Sequence, residues 1–316
     1  VLARLTVPRV VAIVNPVAGK AQGAKSRARA VEELTRLFPD IAFVESRAPG
    51  HATLLTQQAR DAELVIAIGG DGTVREVASG LVSATGPLDH LTTRPLPLLA
   101  VVPVGSCNDL PKTAGIPADV IAACRVAKEG RARPIDVIRV EMSNEGVSQQ
   151  THFINAAGFG FDAAVTAEAH KSKHLRGLLL YLVAIVRTLR RLECPLVHIR
   201  AGAFEAEQRV LMVVAANGRY YGGGMKVAPE AQPDDGLIEV CIGDSMGWFS
   251  VLRILPRFVA GTHVTVKEVR MLRTPELALE FLEPVLVELD GDLLEPQPFR
   301  RFRLSVLPKT VRVKVA

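Results

Sequence analysis

The sequence predicts an α/β protein of two domains: an N-terminal, doubly wound α/β domain and a C-terminal domain that is β-rich and mainly antiparallel. Three observations carry this. Continuous apolar runs alternate with helical stretches across residues 1–137. Short Val-, Ile- and Leu-rich segments, separated by Gly, Pro and Asp turns, fill residues 138–316. The 316-residue chain also exceeds the roughly 250 residues at which a single core stops growing.

The strands of a parallel sheet read as unbroken apolar runs because helices cover both faces. Val10–Val14 is such a run, closed by Asn15-Pro16 and followed by a helix whose Ala28, Val31, Leu34 and Phe38 fall near a 3.6-residue period. Residues 41–45 read as a strand, 51–61 as a helix, 64–68 as a buried strand, 73–82 as a helix and 98–102 as a further buried strand. Helices are expected after Asn108 and after Pro117. In the second half, residues 135–140, 152–157, 196–200, 210–216, 237–242, 277–281, 285–289, 302–307 and 311–315 have strand character. Helices interrupt them near 161–191 and 248–260, with Trp248 and Phe249 expected in the core. The last few residues are free to return to the first domain.

Composition narrows the class. A net charge of +5 suits nucleotide phosphates, anionic membranes or nucleic acid alike. Its cations are dispersed, apart from short groups at 171–176 and 187–191, and no basic stripe interleaves with aromatics, so a nucleic-acid reader fits poorly. Cys107, Cys124, Cys194 and Cys241 form no C-x-x-C pair, which points to reduced thiols in a cytoplasmic protein. No signal peptide is expected. The most apolar stretch, 175–189, is broken by Gly177 and Arg187 and is too short for an integral membrane segment.

The glycines gather where ligands bind in such sheets, at the carboxyl ends of the strands. Gly69-Gly70-Asp71-Gly72-Thr73 lies between a buried strand and a helix. Glycines let amides approach phosphate oxygens, and the helix N-terminus favours negative charge. An Asp among them repels phosphate unless a cation mediates, so Asp71 points to Mg²⁺, held directly or through water. Asn15-Pro16-Val17-Ala18-Gly19-Lys20 and Pro103-Val104-Gly105-Ser106-Cys107-Asn108-Asp109 follow neighbouring strands. Neither is a P-loop. Together the three loops look like a cradle for a nucleoside triphosphate, and the active site is expected in a cleft between the domains.

With Arg133-Pro134-Ile135-Asp136, Asn155-Ala156-Ala157-Gly158-Phe159-Gly160-Phe161-Asp162, Ala228-Pro229-Glu230-Ala231, Asp234-Asp235-Gly236-Leu237 and Asp290-Gly291-Asp292, these loops make the chain resemble the diacylglycerol, sphingosine and ceramide kinase superfamily, in particular its bacterial lipid kinases. Ser106 and Asp292 stand where that family usually has Thr and Glu. The resemblance implies an ATP site at Asn15, Lys20, Ser46, Gly69, Gly70, Asp71, Gly72, Thr73, Glu76, Gly105, Ser106 and Asn108. It implies that Asp71, Asp109 and Asp136 organise a catalytic Mg²⁺ through water, and that Gln232, Asp235 and Leu237 hold a structural Mg²⁺. Asp290 is implied as the base for the lipid hydroxyl, with Asp71, Lys20 and Lys173 also catalytic. The implied protein is cytoplasmic and acts peripherally on a lipid at the inner membrane face, with a homodimer left open. An NAD kinase-like phosphotransferase and a catalytically weak lipid-binding regulator are the rival readings.

Other motifs compete with these. Gly158-Phe159-Gly160-Phe161-Asp162-Ala163 matches a dinucleotide fingerprint but sits in the β-rich half, and reads as a tight turn. Gly243-Asp244-Ser245-Met246-Gly247 matches a nucleophile elbow, yet no acid lies between Ser245 and the one later histidine, His263. His170 and His174 have metal-ligand spacing among lysines and read as a solvated surface. Asp290-Gly291 is also a hairpin signal; Asn would serve that turn equally, so an Asn substitution is expected to leave the fold intact.

Overall fold

The computed structural model describes residues 9–83, 95–144, 146–172, 175, 177–191, 193–294 and 299–316. Internal contacts divide the chain into two units, Val1–Ile135 with Thr310–Ala316, and Asp136–Lys309.

The first unit runs β1 (Val10–Val14), α1 (Lys20–Leu37), β2 (Ala42–Glu45), α2 (His51–Gln58), β3 (Leu64–Gly69), α3 (Asp71–Ser83), β4 (Leu98–Pro103), α4 (Asp109–Ala114) and α5 (Val120–Glu129). Its strands are parallel in the order β2-β1-β3-β4, so every loop that leaves a strand for a helix emerges on one edge. Strand alternation sends Ala12, Val14, Ile66, Ile68, Ala100 and Val102 into one core with α1 and α5. The intervening Val11, Ile13, Val65, Ala67, Leu99 and Val101 are equally buried, which is why the runs read as continuously apolar. On α1 Gly23, Ala30 and Leu34 are buried, while Ala28 is exposed.

The second unit is built on β5 (Arg131–Asn144), β6 (Val147–Phe153), β7 (Ala156–Gly160), α6 (Phe161–His170), α7 (Gly177–Thr188), β8 (Leu196–Ala201), β9 (Phe204–Ala216), β10 (Ile238–Asp244), α8 (Trp248–Ala260), β11 (Val269–Thr274), β12 (Glu276–Val285), β13 (Val287–Leu289), β14 (Asp292–Leu293) and β15 (Phe299–Val315). Long β9 serves two layers. Its first half pairs antiparallel with β8, and its second half with β7 and β10. Phe159 of one layer packs edge-on against Phe302 of the other at 4.9 Å between ring centroids, within a core that also holds Ile138, Phe153, Val213, Val240 and Phe281.

The structure differs from expectation in several places. Residues 152–157 are two strands, because the chain turns at Ile154-Asn155 to offer amides to a carboxylate described below. Residues 302–307 and 311–315 are one strand that bends at Lys309, where φ is 53°. Trp248 and Phe249 are 58% and 69% exposed, not core: they open α8 ahead of its buried Val251 and Ile254. Among the described residues, no helix is long and apolar enough to cross a membrane.

Candidate active site

The three glycine loops of the first unit are welded together at the carboxyl edge of its sheet. Asn15, directly after β1, donates from Nδ2 to Thr73 Oγ1 at 3.0 Å and accepts the Val17 amide at 3.1 Å. The amides of Val104 and Gly105 donate to the Gly69 carbonyl at 2.9 and 3.2 Å. Glycine is required where these loops touch. A methyl group on Gly105 would lie 2.4 Å from Gly70 Cα, one on Gly69 would meet Thr73 Oγ1 at 2.3 Å, and one on Gly19 would meet the Val104 carbonyl oxygen at 2.0 Å. Close approach selects glycine at 69 and 105, and at Gly19 a φ of 70° does so as well.

Asp71 is the hub. Its Oδ1 accepts the amides of Asp109 (2.7 Å) and Leu110 (3.3 Å), which opens α4 beneath it. Asn108 sits just before, at φ 54°, a left-handed conformation that Asn tolerates; its side chain closes the third loop by reciprocal bonds with the Gly105 amide and carbonyl, both 3.1 Å. Asp109 is buried and pairs with Lys112 at 2.8 Å. Ser46 lies buried beyond β2, its amide bonded to the Val14 carbonyl at 2.9 Å. Ser106 is half-buried in the third loop, and Lys20 opens α1. Glu76 supports the scaffold, since its two oxygens accept the amides of Gly50 (2.8 Å) and Ala52 (2.9 Å) and so cap α2.

Mg²⁺ commonly binds through one or two carboxylates plus phosphate oxygens and waters. The Asp109 amide joins the Asp71 carboxylate at this loop edge, while the Asp109 carboxylate is met by Lys112. Among the described residues, no three His, Cys, Asp or Glu side chains cluster to hold a metal ion by themselves. Asp136 belongs to the second unit, fully buried, with its oxygens on the amides of Gly236 (2.7 Å) and Lys309 (2.6 Å); burial raises its pKa against the pull of those two bonds. Asp235 accepts the Leu237 amide at 3.0 Å and pairs with Arg273 at 2.5 Å, so its charge is met by a guanidinium of the protein. Gln232 lies just upstream on the same loop. Lys173 and His174 fall outside the described residues.

In the second unit, Asp290 and Gly291 are the two residues of the turn joining β13 to β14, with φ of 49° and 85°. Both values are positive, as a type I′ hairpin requires. The turn is therefore real, yet Asp290 does more than turn. It is 3% exposed, and its carboxylate accepts three amides: Ile154 on Oδ2 at 2.9 Å, and Asn155 and Ala156 on Oδ1 at 2.9 and 2.8 Å. Gly291 is held in turn. Its amide donates to buried Glu288 at 2.7 Å, and its carbonyl lies 3.0 Å from His170 Nε2.

A buried acid network, not foreseen from the sequence, adjoins this hairpin. The Tyr221 hydroxyl donates to Asp162 at 3.0 Å, with the Glu288 carboxyl close by. Burial pushes Asp162 up to about 7, and pushes Glu288 and Tyr221 well above their ordinary values. The raised pKa values of Asp162 and Glu288 favour a protonated carboxyl in this network. Gly158 makes the room: a methyl there would lie 1.6 Å from Asp162 Oδ2 and 2.5 Å from the Tyr221 oxygen. The apparent dinucleotide fingerprint is thus a packing requirement. The apparent elbow is likewise unsupported: His263 is buried, stacked on Phe258 at 4.0 Å, with Nε2 3.0 Å from the Val227 carbonyl oxygen. Beside Asp162 and Tyr221 opens a crevice of about 70 Å³ with almost wholly apolar walls, among them Val165, Ile185, Leu211, Val251, Ile254 and Phe258.

Known proteins share this build. Residues 9–140 match the diacylglycerol kinase catalytic domain, and residues 155–315 match the YegS C-terminal NAD kinase beta sandwich-like domain. A protein of Xanthomonas campestris pv. campestris, described as "Probable lipid kinase YegS-like", is 32% identical over 253 residues, covering 79% of this chain and 78% of its own. A solved diacylglycerol kinase chain from Bacillus anthracis superposes with a TM-score of 0.70 at 22% identity, covering 99% of this chain and 98% of that one. Yeast NADH kinase shares the fold more distantly, with a TM-score of 0.52 at 12% identity, covering 98% of this chain and 83% of that one. The chain belongs to the YegS-like lipid kinase family, with its diacylglycerol kinase catalytic domain and YegS-type C-terminal domain.

The hairpin and its neighbours lead to two predictions. In Asp290→Asn, an amide donor replaces an acceptor facing the amides of residues 154–156. The variant should lose about 1–3 kcal/mol and melt several degrees lower, contrary to the sequence expectation of an intact fold; an unchanged melting temperature in calorimetry would contradict the amide clamp. The second concerns pH. Carboxyls whose pKa is raised in the native state bind protons that the unfolded chain releases, so stability falls as pH rises from about 4.5 upward, by at most ~1.4 kcal/mol per pH unit for each proton. Glu288→Gln mimics the protonated acid, so its denaturant midpoint should decline less steeply than the parent's between pH 5 and 8; equal slopes would exclude the buried proton.

Proposed function

We propose that the protein transfers the γ-phosphoryl group of ATP to the hydroxyl of a diacylglycerol or a related lipid. The observation that carries this reading is the convergence of three glycine loops at one edge of the sheet, with Asp71 joining the second to the third. Phosphoryl transfer asks little covalent chemistry of a protein; it needs phosphates held in line, charge neutralised and an acceptor for the hydroxyl proton. Backbone amides at the N-terminus of α3, beside the third loop, suit the phosphates. Asn15, Lys20, Ser46 and Ser106 complete the nucleotide site in this reading, and Glu76 contributes by fixing α2.

Asp71 and Asp109 would hold Mg²⁺ with the phosphates, and Asp136 would act through water. When bound, the ion supplies charge neutralisation at the phosphate oxygens. Asp290 is the proposed general base. The three amides fix its direction, as a positioned base requires, and Lys173 is the proposed further contact of the transferred group. The apolar crevice of the second unit supports a lipid acceptor over a dinucleotide, which needs polar partners for its ribose and phosphates. That separates this reading from the NAD kinase one, to which the chain is related in fold. The intact set of Asp71, Asp109 and Asp290 argues for a working enzyme over a lipid-binding regulator. The proposed place of work is the cytoplasmic face of a membrane, without a spanning helix.

The test is label transfer from γ-labelled ATP to a panel of diacylglycerol, monoacylglycerol, ceramide, sphingosine and phosphatidylglycerol, with NAD as the competing acceptor. Label should appear in an organic-phase product and require Mg²⁺. Asp71→Asn keeps an acceptor for the α4 amides while removing the charge, so it should fold normally and lose about 10²-fold or more in turnover. Label in NADP, or near-parental turnover in the variant at saturating Mg²⁺, would overturn the assignment.

A further inference from the structure

Helix α7 has two apolar faces where a surface helix ordinarily has one. Residues 177–186 contain no charged side chain. Leu180, Tyr181, Ala184 and Ile185 are buried and form the inner face. Leu179 and Val186, two turns apart on the opposite side, are 57% and 53% exposed. Leu182 and Val183, half-buried, fill the i+3 and i+4 positions between them, so Leu179, Leu182, Val183 and Val186 make a continuous outward stripe. Helix α8, whose Val251 and Ile254 line the same crevice as Tyr181 and Ile185 of α7, begins with the exposed pair Trp248 and Phe249, ring centroids 5.9 Å apart.

Charge identifies what covers this surface. Residues 168–193 carry six cations, at Lys171, Lys173, Arg176, Arg187, Arg190 and Arg191, against two acids, Glu168 and Glu193. They flank α7 at both ends. Glu168 already pairs with Lys171 at 2.9 Å and with Arg187 at 3.7 Å, so the segment stays strongly positive. A second copy docked stripe to stripe would set cations against cations whether the helices ran parallel or antiparallel. An anionic bilayer meets every feature: apolar stripe into the acyl boundary, cations at the headgroups, Trp at the interface.

We propose that the outer face of α7, with Trp248 and Phe249 of α8, is the docking surface of this protein for an anionic phospholipid bilayer. This rests on the lipid kinase reading for its purpose but not for its test, which measures binding without turnover. The chain has a single tryptophan, so Trp248 emission reports insertion in the unaltered protein. Adding vesicles of phosphatidylcholine with phosphatidylglycerol should shift that emission to the blue. The protein should sediment with these vesicles at low salt, less at high salt, and weakly with phosphatidylcholine alone. Leu179→Glu combined with Val186→Glu alters only exposed positions, so melting should be unchanged while vesicle affinity falls about tenfold or more. Unshifted emission, a double variant that sediments like the parent, or a parent dimer that the double variant converts to monomer would each overturn the proposal. Label transfer to a short-chain lipid dispersed without vesicles separates the two readings. If docking depends on the stripe but no lipid is labelled, the kinase reading fails and the surface stands; if lipid is labelled and docking ignores the stripe, the surface fails alone.

Discussion

The Asp71 carboxylate, bound by the amides of Asp109 and Leu110, is the interaction on which the proposed nucleotide site depends. It joins the loop after β3 to the loop after β4, and it does so at the point where Gly70 and Gly105 touch without side chains between them. A side chain at Gly105 would meet Gly70 Cα at 2.4 Å and force the loops apart. Parallel strands make this possible. Because β1, β3 and β4 run in one direction, all three loops leave the same edge, and Asn15 can reach Thr73 across 58 residues of sequence. The loops proposed to seat phosphate are therefore tied together before any ligand arrives, which would spare the ordering cost at the moment of binding.

The second unit uses the same device for a different carboxylate. Asp290 is exposed by only 3% and is pinned by three amides donated from the break between β6 and β7. Around it, Glu288 and His170 hold the next residue from two sides. A base aimed this firmly loses reach but gains direction, which suits in-line transfer to a fixed hydroxyl. Buried Glu288, Tyr221 and Asp162 extend this frame to the wall of the apolar crevice, so the proposed base and the proposed lipid chain site share supports.

Much of this was legible from the amino acids alone, for definable reasons. Unbroken apolar runs declare strands covered on both faces, and the glycine loops declare close chain-to-chain contact at one edge of the sheet, because that contact excludes other residues. What escaped was set by tertiary partners. Periodicity placed Ala28 inward on α1, whereas packing against α5 buries Ala30. Trp248 and Phe249 are hydrophobic enough for a core but open a helix beyond its buried positions. The break at Ile154-Asn155 is dictated by a carboxylate 135 or so residues away, and no local rule announces it. Glu76 and Glu288 look alike as isolated glutamates; only the fold turns one into a cap for α2 and the other into a buried acid beside Asp290. Gly158 did carry a signal, but its spacing imitated a dinucleotide fingerprint, and the real reason is the space taken by Asp162 and Tyr221.

The central claim is that ATP phosphates rest on the amides of the welded loops in the first unit. Amide hydrogen exchange with and without Mg²⁺-ATP tests it most directly. Peptides covering residues 69–74 and 104–110 should gain protection on nucleotide addition, while peptides covering 158–163 should not change. Protection confined to 158–163, with the glycine loops exchanging as freely as before, would place the nucleotide elsewhere and contradict the account.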